Sequence, residues 1–277
     1  MTGASSGIGE AFADELAGRG VSLILVGRNA DALEAVAARA RARGVGVQVI
    51  RADLATDVGM TDVDRAIGEA APAIDLLVNN AALGQWGLFA ELGLDRALES
   101  IRVNNEALVR LTHAAVTRML AADRGSIIQM SSMAGASPGP QQAVYAATKA
   151  FVTSFGQALS AELAATPVTC TTVLPGFTRT NYFARVGLEP DIPEDRWMTA
   201  AEVAQLSLEA SERGRQLLIP GPRNRRKILI ATQFPTLGVG RAKHHTRQTL
   251  GAARSVRQRL DELVRHAPST SNGTTQR

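Results

Sequence analysis

The 277-residue chain is 45% hydrophobic with a single cysteine, which allows one large core and excludes an intrachain disulfide; Cys170, inside the apolar run VTCTTVLP, reads as a buried structural thiol. Its net charge of +4 is uneven: residues 1–220 hold 18 basic and 24 acidic side chains, whereas 221–265 hold 11 and 2. An acidic body and a basic tail without interleaved aromatics argue against nucleic acid as a partner, and the lack of a signal pattern or an apolar run of about 18 residues predicts a cytoplasmic protein without a membrane span.

Strand-like and helix-like runs alternate along the chain, the pattern of an α/β domain. It opens on TGASSGIG, a glycine-rich turn feeding an amphipathic helix. Gly3, Gly7 and Gly9 would let backbone approach a pyrophosphate, with Ser5, Ser6 and Ile8 beside it and the helix N-terminus supplying free N–H groups. VSLILVG (21–27) reads as a buried strand with Arg28 just past its end, where a guanidinium suits the 2′-phosphate of NADP; an acid there would suit the 2′-OH of NAD. The expected cofactor is therefore NADP(H) rather than NAD(H). A helix over 30–43 leads to the strand 45–54, which ends at Asp53-Leu54. Asp53 could hold an adenine amino group or cap the next segment, and both readings stand. A helix over 61–71 precedes the strand 73–82, which runs into Asn79-Asn80-Ala81-Ala82. Asn79 is expected to bond backbone beside the ribose, and small Ala81 to admit the cofactor. One long helix is predicted over 95–121, with Asn104 and Asn105 at its centre. Asn is a poor helix-interior residue, so Asn104 predicts a local distortion that holds a water; Asn105 reads as a surface residue.

The chemistry concentrates in SSMAGASPGPQQAVYAATK (131–149). Tyr145 and Lys149 lie four apart in a predicted helix (143–165) and so share a face. A phenol has a pKa of about 10, too high for a base at neutral pH, and a fixed ammonium lowers it. Ser132, thirteen residues before Tyr145, ends the buried strand SIIQMSS and could hydrogen-bond a substrate oxygen. Together these groups could move a proton to or from an oxygen on carbon, the hard step between alcohol and carbonyl. Lys149 is the only lysine before residue 227. After the strand PVTCTTVL, Pro175-Gly176 marks a sharp exit, and 177–198 reads as a long lid or binding loop without periodicity. Its aromatics Phe177, Tyr182, Phe183 and Trp197, with Leu83, Trp86, Phe89 and Met133 from earlier in the chain, form an apolar candidate pocket. A short helix (200–211) and the strand QLLIP (216–220) close the body. The basic extension 221–266 carries an amphipathic stripe through Leu250, Val256, Leu260 and Val264, suited either to packing on protein or to an anionic membrane surface. Residues 267–277 are low-complexity and expected to be disordered.

Together TGASSGIG, NNAA, the Asn of RVNN, Ser132, YAATK and PGFTRT resemble the short-chain dehydrogenase/reductase family over about residues 2–220. The resemblance implies a single Rossmann-type doubly wound parallel sheet flanked by helices, with NAD(H) or NADP(H) at the carboxyl ends of the strands. It implies roles for Asn104, Ser132, Tyr145 and Lys149 as the catalytic four: Ser132 orienting the carbonyl, Tyr145 as general acid, Lys149 lowering its pKa and holding the ribose, Asn104 anchoring a water. It also places Thr178, Thr180, Pro175 and Gly176 at the carboxamide, and it implies a homodimer or homotetramer paired through the helices near 95–121 and 143–165. The family has a strand directly before the glycine turn, at the centre of the sheet. That first strand is expected to be missing here, so that Met1 is internal to a longer reading frame. No metal is expected. The reading is an oxidoreductase acting on an apolar small molecule; a catalytically silent cofactor-binding scaffold and a tail-driven membrane or interaction protein are its rivals.

Overall fold

Strands that are apolar on both faces must be covered on both sides, and LILVG, LLVN and GSIIQM are of that kind. The computed structural model describes residues 1–233, which form one compact unit. All its main strands are parallel. β1 (Leu23–Gly27) pairs with β2 (Val47–Arg51), and β3 (Leu76–Asn79), β4 (Gly125–Met130), β5 (Val168–Val173) and β8 (Leu217–Leu218) follow in that spatial order. Between β1 and β3 run Met1–Ala4: Thr2 N–H donates to Val78 O (3.0 Å), Ala4 N–H to Val26 O (3.1 Å), and Val26 N–H to Met1 O (3.0 Å). Where a strand before the glycine turn is expected, the described residues hold no strand, and a single parallel bridge, Thr2 to Val26, marks its end. The α-ammonium of Met1 lies buried against Ile24 O at 2.8 Å, and loss of solvent pushes its pKa down to about 5.

Alternation along each strand splits the core in two. Leu25, Val78 and Ile128 point to one layer, where Phe12 and Leu16 of α1 (Gly7–Gly18), Leu33 and Val36 of α2 (Ala30–Arg41) and Val203 and Leu208 of α9 (Ala200–Glu212) cover them. Val26, Leu77 and Ile127 point to the other, under Met60 and Val63 of α3 (Asp57–Glu69) and Leu111, Ala115 and Met119 of α5 (Leu108–Ala121). Cys170 lies in this second layer, and burial pushes its thiol up to about 12.

The single helix predicted over 95–121 is three pieces: α4 (Leu94–Ile101), a π-helical stretch Arg102–Ala107, and α5. The distortion expected at Asn104 is this π turn. The helix predicted from Thr61 begins earlier, at Asp57, because the Thr56 hydroxyl caps it by accepting from Gly59 N–H (3.1 Å). Residues 177–198 are less irregular than expected. They hold β6 (Thr178–Arg179) paired with β7 (Met198–Thr199), a short helix α8 (Tyr182–Arg185) and a 3-10 turn at Glu194–Arg196. α10 (Pro222–Gln233) begins the basic extension and packs on α6 (Met133–Ala136). The stripe from Leu250 to Val264 and the segment 267–277 lie outside the described residues. No helix among those described is long and apolar enough to cross a membrane.

Candidate active site

β4 delivers Ser131 and Ser132 to the carboxyl edge of the sheet. Ser131 is buried and tied to the helix behind it, its Oγ donating to Lys149 O (2.7 Å). Ser132 caps α6, accepting from Ala134 N–H at 3.1 Å. α7 (Ala143–Glu162) starts just before Tyr145 and presents Lys149 one turn later, as the i, i+4 spacing requires. The two helices approach so closely that a Cβ on Gly135 would stand 2.6 Å from the Lys149 carbonyl carbon. Lys149 is buried, its Nζ donating to Met130 O at 2.8 Å and lying 5.9 Å from the Tyr145 ring centroid.

Burial dominates the electrostatics of the site. Burial raises the Tyr145 pKa above its usual value, opposed by the neighbouring hydroxyls of Ser132 and Tyr182. Lys149 lies beside it on the same face of α7. Its own pKa is pushed down to about 8 by burial. Its ammonium faces the Met130 carbonyl.

Asn104 is brought to the site by the π turn, but both ends of its amide are engaged. Oδ1 accepts from Leu83 N–H (2.7 Å), while Nδ2 donates to Leu83 O (2.9 Å) and Thr148 Oγ1 (2.9 Å). Asn104 therefore ties the loop after β3 to the catalytic helix. Asn105, expected at the surface, is half-buried and donates to Thr148 O at 3.0 Å.

The glycine turn lies against the ends of β1 and β3. Gly3 and Gly7 have φ of 64° and 60°, and a Cβ on Gly9 would meet Gly3 O at 2.1 Å. The Ser6 side chain does not cap α1, so the first N–H groups of that helix are left for an anion. The role expected of Asn79 belongs to its neighbour. Asn79 points into the core, donating to Thr112 Oγ1 (2.8 Å) and Gln129 Oε1 (3.1 Å), whereas Asn80 Nδ2 donates to the Thr2 and Gly3 carbonyls (3.1 and 3.2 Å). Sequence gave no signal to choose between adjacent Asn residues; the pleat does, turning Asn79 inward. Ala81 N–H donates to Thr2 Oγ1 (3.0 Å), locking the NNAA segment to the turn. Asp53 takes the capping option, Oδ1 accepting from Ala55 N–H at 3.0 Å, and Leu54 is buried in the core. Arg28 is exposed at the end of β1, with Glu99 at 3.5 Å. These cradle, turn and charge features fit a dinucleotide phosphate.

The lid closes over both halves of the cleft. Thr180 packs its methyl over Gly7, and its Oγ1 accepts from Tyr182 N–H (3.2 Å). Thr178 is buried in β6, and Pro175 O accepts from Met133 N–H at 3.1 Å. A Cβ on Gly176 would collide with Asn224 of α10. Phe177, Phe183 and Trp197 pack on one another with centroids 5.6 to 6.2 Å apart, giving the lid its own small core. Met133 is buried, and Trp86 Nε1 donates to Gln141 Oε1 (2.8 Å), joining the two loops that wall the cleft. Phe89, 63% exposed, faces outward. Two residues escaped the sequence reading. Arg185 of α8 donates to Ser6 Oγ and to Asn181 Oδ1. Gln85 is buried between Gly84 and Trp86, with neither end of its amide hydrogen-bonded within the described residues. Neither has a spacing that would have marked it.

A model of the short chain dehydrogenase family matches residues 1–190. The chain belongs to this family. It is an oxidoreductase of the kind that acts between CH–OH and C=O groups. Among its relatives, 3-oxoacyl-acyl-carrier-protein reductase of Escherichia coli is 31% identical over 211 residues, 74% of this chain and 85% of that protein. An uncharacterised oxidoreductase of Staphylococcus epidermidis is 33% identical over 180 residues, covering 65% and 77% of the two chains. Similar solved structures include a short-chain dehydrogenase from Sphingobium yanoikuyae in complex with NADPH, with a TM-score of 0.77, 33% identity and 92% of this chain and 98% of that one covered. A bulky-bulky ketone specific alcohol dehydrogenase from Comamonas testosteroni has a TM-score of 0.72 at 30% identity, with 92% and 96% covered. The expected doubly wound parallel fold is the one this short-chain dehydrogenase adopts.

Proposed function

We propose that the protein interconverts an apolar ketone and its secondary alcohol with NADP(H) in preference to NAD(H). The observation that carries the reading is the convergence of Ser132, Tyr145 and Lys149 at one edge of the sheet, with Lys149 Nζ 5.9 Å from the Tyr145 ring centroid. Gly3, Ser5, Ser6, Gly7, Ile8 and Gly9 would hold the pyrophosphate, and Arg28 the 2′-phosphate. Asn80, Ala81, Pro175, Gly176, Thr178 and Thr180 border the nicotinamide end. A bound nicotinamide supplies or accepts a hydride at carbon. Ser132 orients the carbonyl oxygen, and Tyr145 gives that oxygen a proton in reduction and takes it back in oxidation. Positioned proton transfer of this kind is worth about 10²–10⁴ in rate. The lid excludes water, and its aromatic lining supports an apolar substrate. Arg28, exposed at the end of β1 and paired with Glu99 at 3.5 Å, supports NADP(H), as does the NADPH held by the Sphingobium yanoikuyae relative.

Fluorescence titration with NADPH and NADH, followed by reduction of a panel of aliphatic and aryl ketones, tests this. Tyr145→Phe is expected to keep cofactor binding and lose turnover, and Arg28→Ala to weaken NADPH about tenfold while sparing NADH. Undiminished reduction by Tyr145→Phe sinks the mechanism, and equal loss of both cofactors in Arg28→Ala sinks the NADP(H) preference.

The exposed faces of α4 and α7 support a homo-oligomer. Leu94, Leu98 and Ile101 on the first are 44 to 66% exposed, and Phe151 on the second is 43% exposed. Attachment to a membrane through the basic extension draws no support from the described residues.

A further inference from the structure

Two cations from distant parts of the chain converge on the glycine turn. Arg28 follows β1 and stands beside the turn, because Ser5 Oγ lies 3.5 Å from the point a Cβ on Gly27 would occupy. Arg185 comes from α8 of the lid. Its guanidinium donates to the hydroxyl of Ser6, the residue just before α1, and to Asn181 Oδ1 at 2.6 Å. Thr180 brings the lid down at the same place, its methyl 3.0 Å from where a Cβ on Gly7 would stand. Both partners of Arg185 are neutral, and no carboxylate pairs with it among the described residues, whereas Arg179, earlier in the lid, pairs with Glu194. Burial and the charge of Arg28 push the Arg185 pKa down. An anion between the two guanidiniums would turn that repulsion into attraction.

We propose, resting on the reading of the glycine turn and Arg28 as the NADP(H) phosphate site, that Arg185 is a cofactor-binding residue carried by the lid, which grips the 2′-phosphate together with Arg28. A phosphomonoester carries a charge of about −1.5 to −2 at neutral pH, so one guanidinium leaves much of it unbalanced. Arg28 is, moreover, shared with Glu99 at 3.5 Å. When the phosphate is bound, Arg185 exchanges the Ser6 hydroxyl for charged oxygens, and hydrogen bonds of that kind are about twice as strong as those between neutral groups. Because Arg185 belongs to the lid, the same contact ties the segment 177–198 to the cofactor. NADPH, which has the 2′-phosphate, therefore holds the lid more firmly than NADH, which lacks it.

The test is fluorescence titration of wild type, Arg185→Ala and Arg185→Lys with NADPH and NADH, with circular dichroism to show that the variants are folded. Arg185→Ala is expected to weaken NADPH about tenfold and NADH by less than about twofold. Arg185→Lys should recover part of the loss, since it keeps the charge without the planar fork. Unchanged NADPH binding in Arg185→Ala overturns the proposal, and so does an equal loss of both cofactors, which would place Arg185 at the pyrophosphate or in the packing of the lid. A second measurement needs no variant. Chymotrypsin cleavage of wild type after Tyr182 or Phe183 should be slowed more by saturating NADPH than by saturating NADH, and equal protection overturns the proposal. Wild type that binds both cofactors equally, beside an Arg28→Ala that changes neither, would sink the parent reading. An NADPH preference that Arg28→Ala abolishes and Arg185→Ala leaves intact would sink this inference alone.

Discussion

Asn104→Ala separates two accounts of the same residue. As the anchor of a water, Asn104 would matter to turnover and little to stability. As a strut, it holds Leu83 by both backbone groups and Thr148 by its hydroxyl, through contacts of 2.7 to 2.9 Å. Truncation leaves the Leu83 N–H and C=O without their partner, at about 1–3 kcal/mol for each orphaned group where water is kept out. Leu83 is only half-buried, so water recovers part of this, and a net loss of about 3 kcal/mol is expected. For a urea dependence of about 3 kcal/mol per molar, the unfolding midpoint should fall by about 1 M. The assay is urea denaturation followed by circular dichroism. Asn104→Asp keeps the side-chain volume and the acceptor for Leu83 N–H, but sets a carboxylate against the Leu83 carbonyl and loses both donors. It should recover little of the loss. A midpoint within about 0.2 M of wild type in Asn104→Ala, at comparable slope, would refute the strut and leave the water.

Lys149 gives stability a pH signature. Unfolded, its amine holds a proton up to about 10.5; folded, it releases it near 8. Between these values the unfolded state binds more protons, so stability should rise with pH across this window, by about 3 kcal/mol in full. Denaturant titrations at pH 7.5 to 10 should show that rise in wild type and lose it in Lys149→Met. A parallel pH dependence in the two proteins would contradict the burial of the amine. For the assembly, Leu98→Glu on the exposed face of α4 should yield monomers by sedimentation velocity, with unchanged circular dichroism. An oligomer that survives this charge at the same concentration places the interface elsewhere.

The sequence by itself settled the elements that local chemistry controls. Apolar runs bounded by glycine and small polar residues marked every main strand, and TGASSGIG placed the glycine turn, because positive φ and close backbone approach leave glycine as the residue that fits. The i, i+4 spacing of Tyr145 and Lys149 fixed their shared face before any fold was known. The rest depended on contacts between segments distant in the chain. Asn79 and Asn80 are neighbours of the same type, and only the pleat of β3 against β4 and α5 sends one into the core and the other to the glycine turn. No local signal says that Lys149 Nζ would meet the Met130 carbonyl, nineteen residues away. Composition marked Phe177, Phe183 and Trp197 as apolar, but only the fold packs them on one another. Tyr182 reached Tyr145 through a turn set by Thr180 and a space kept by Gly84, three positions whose relation exists only once the chain is folded.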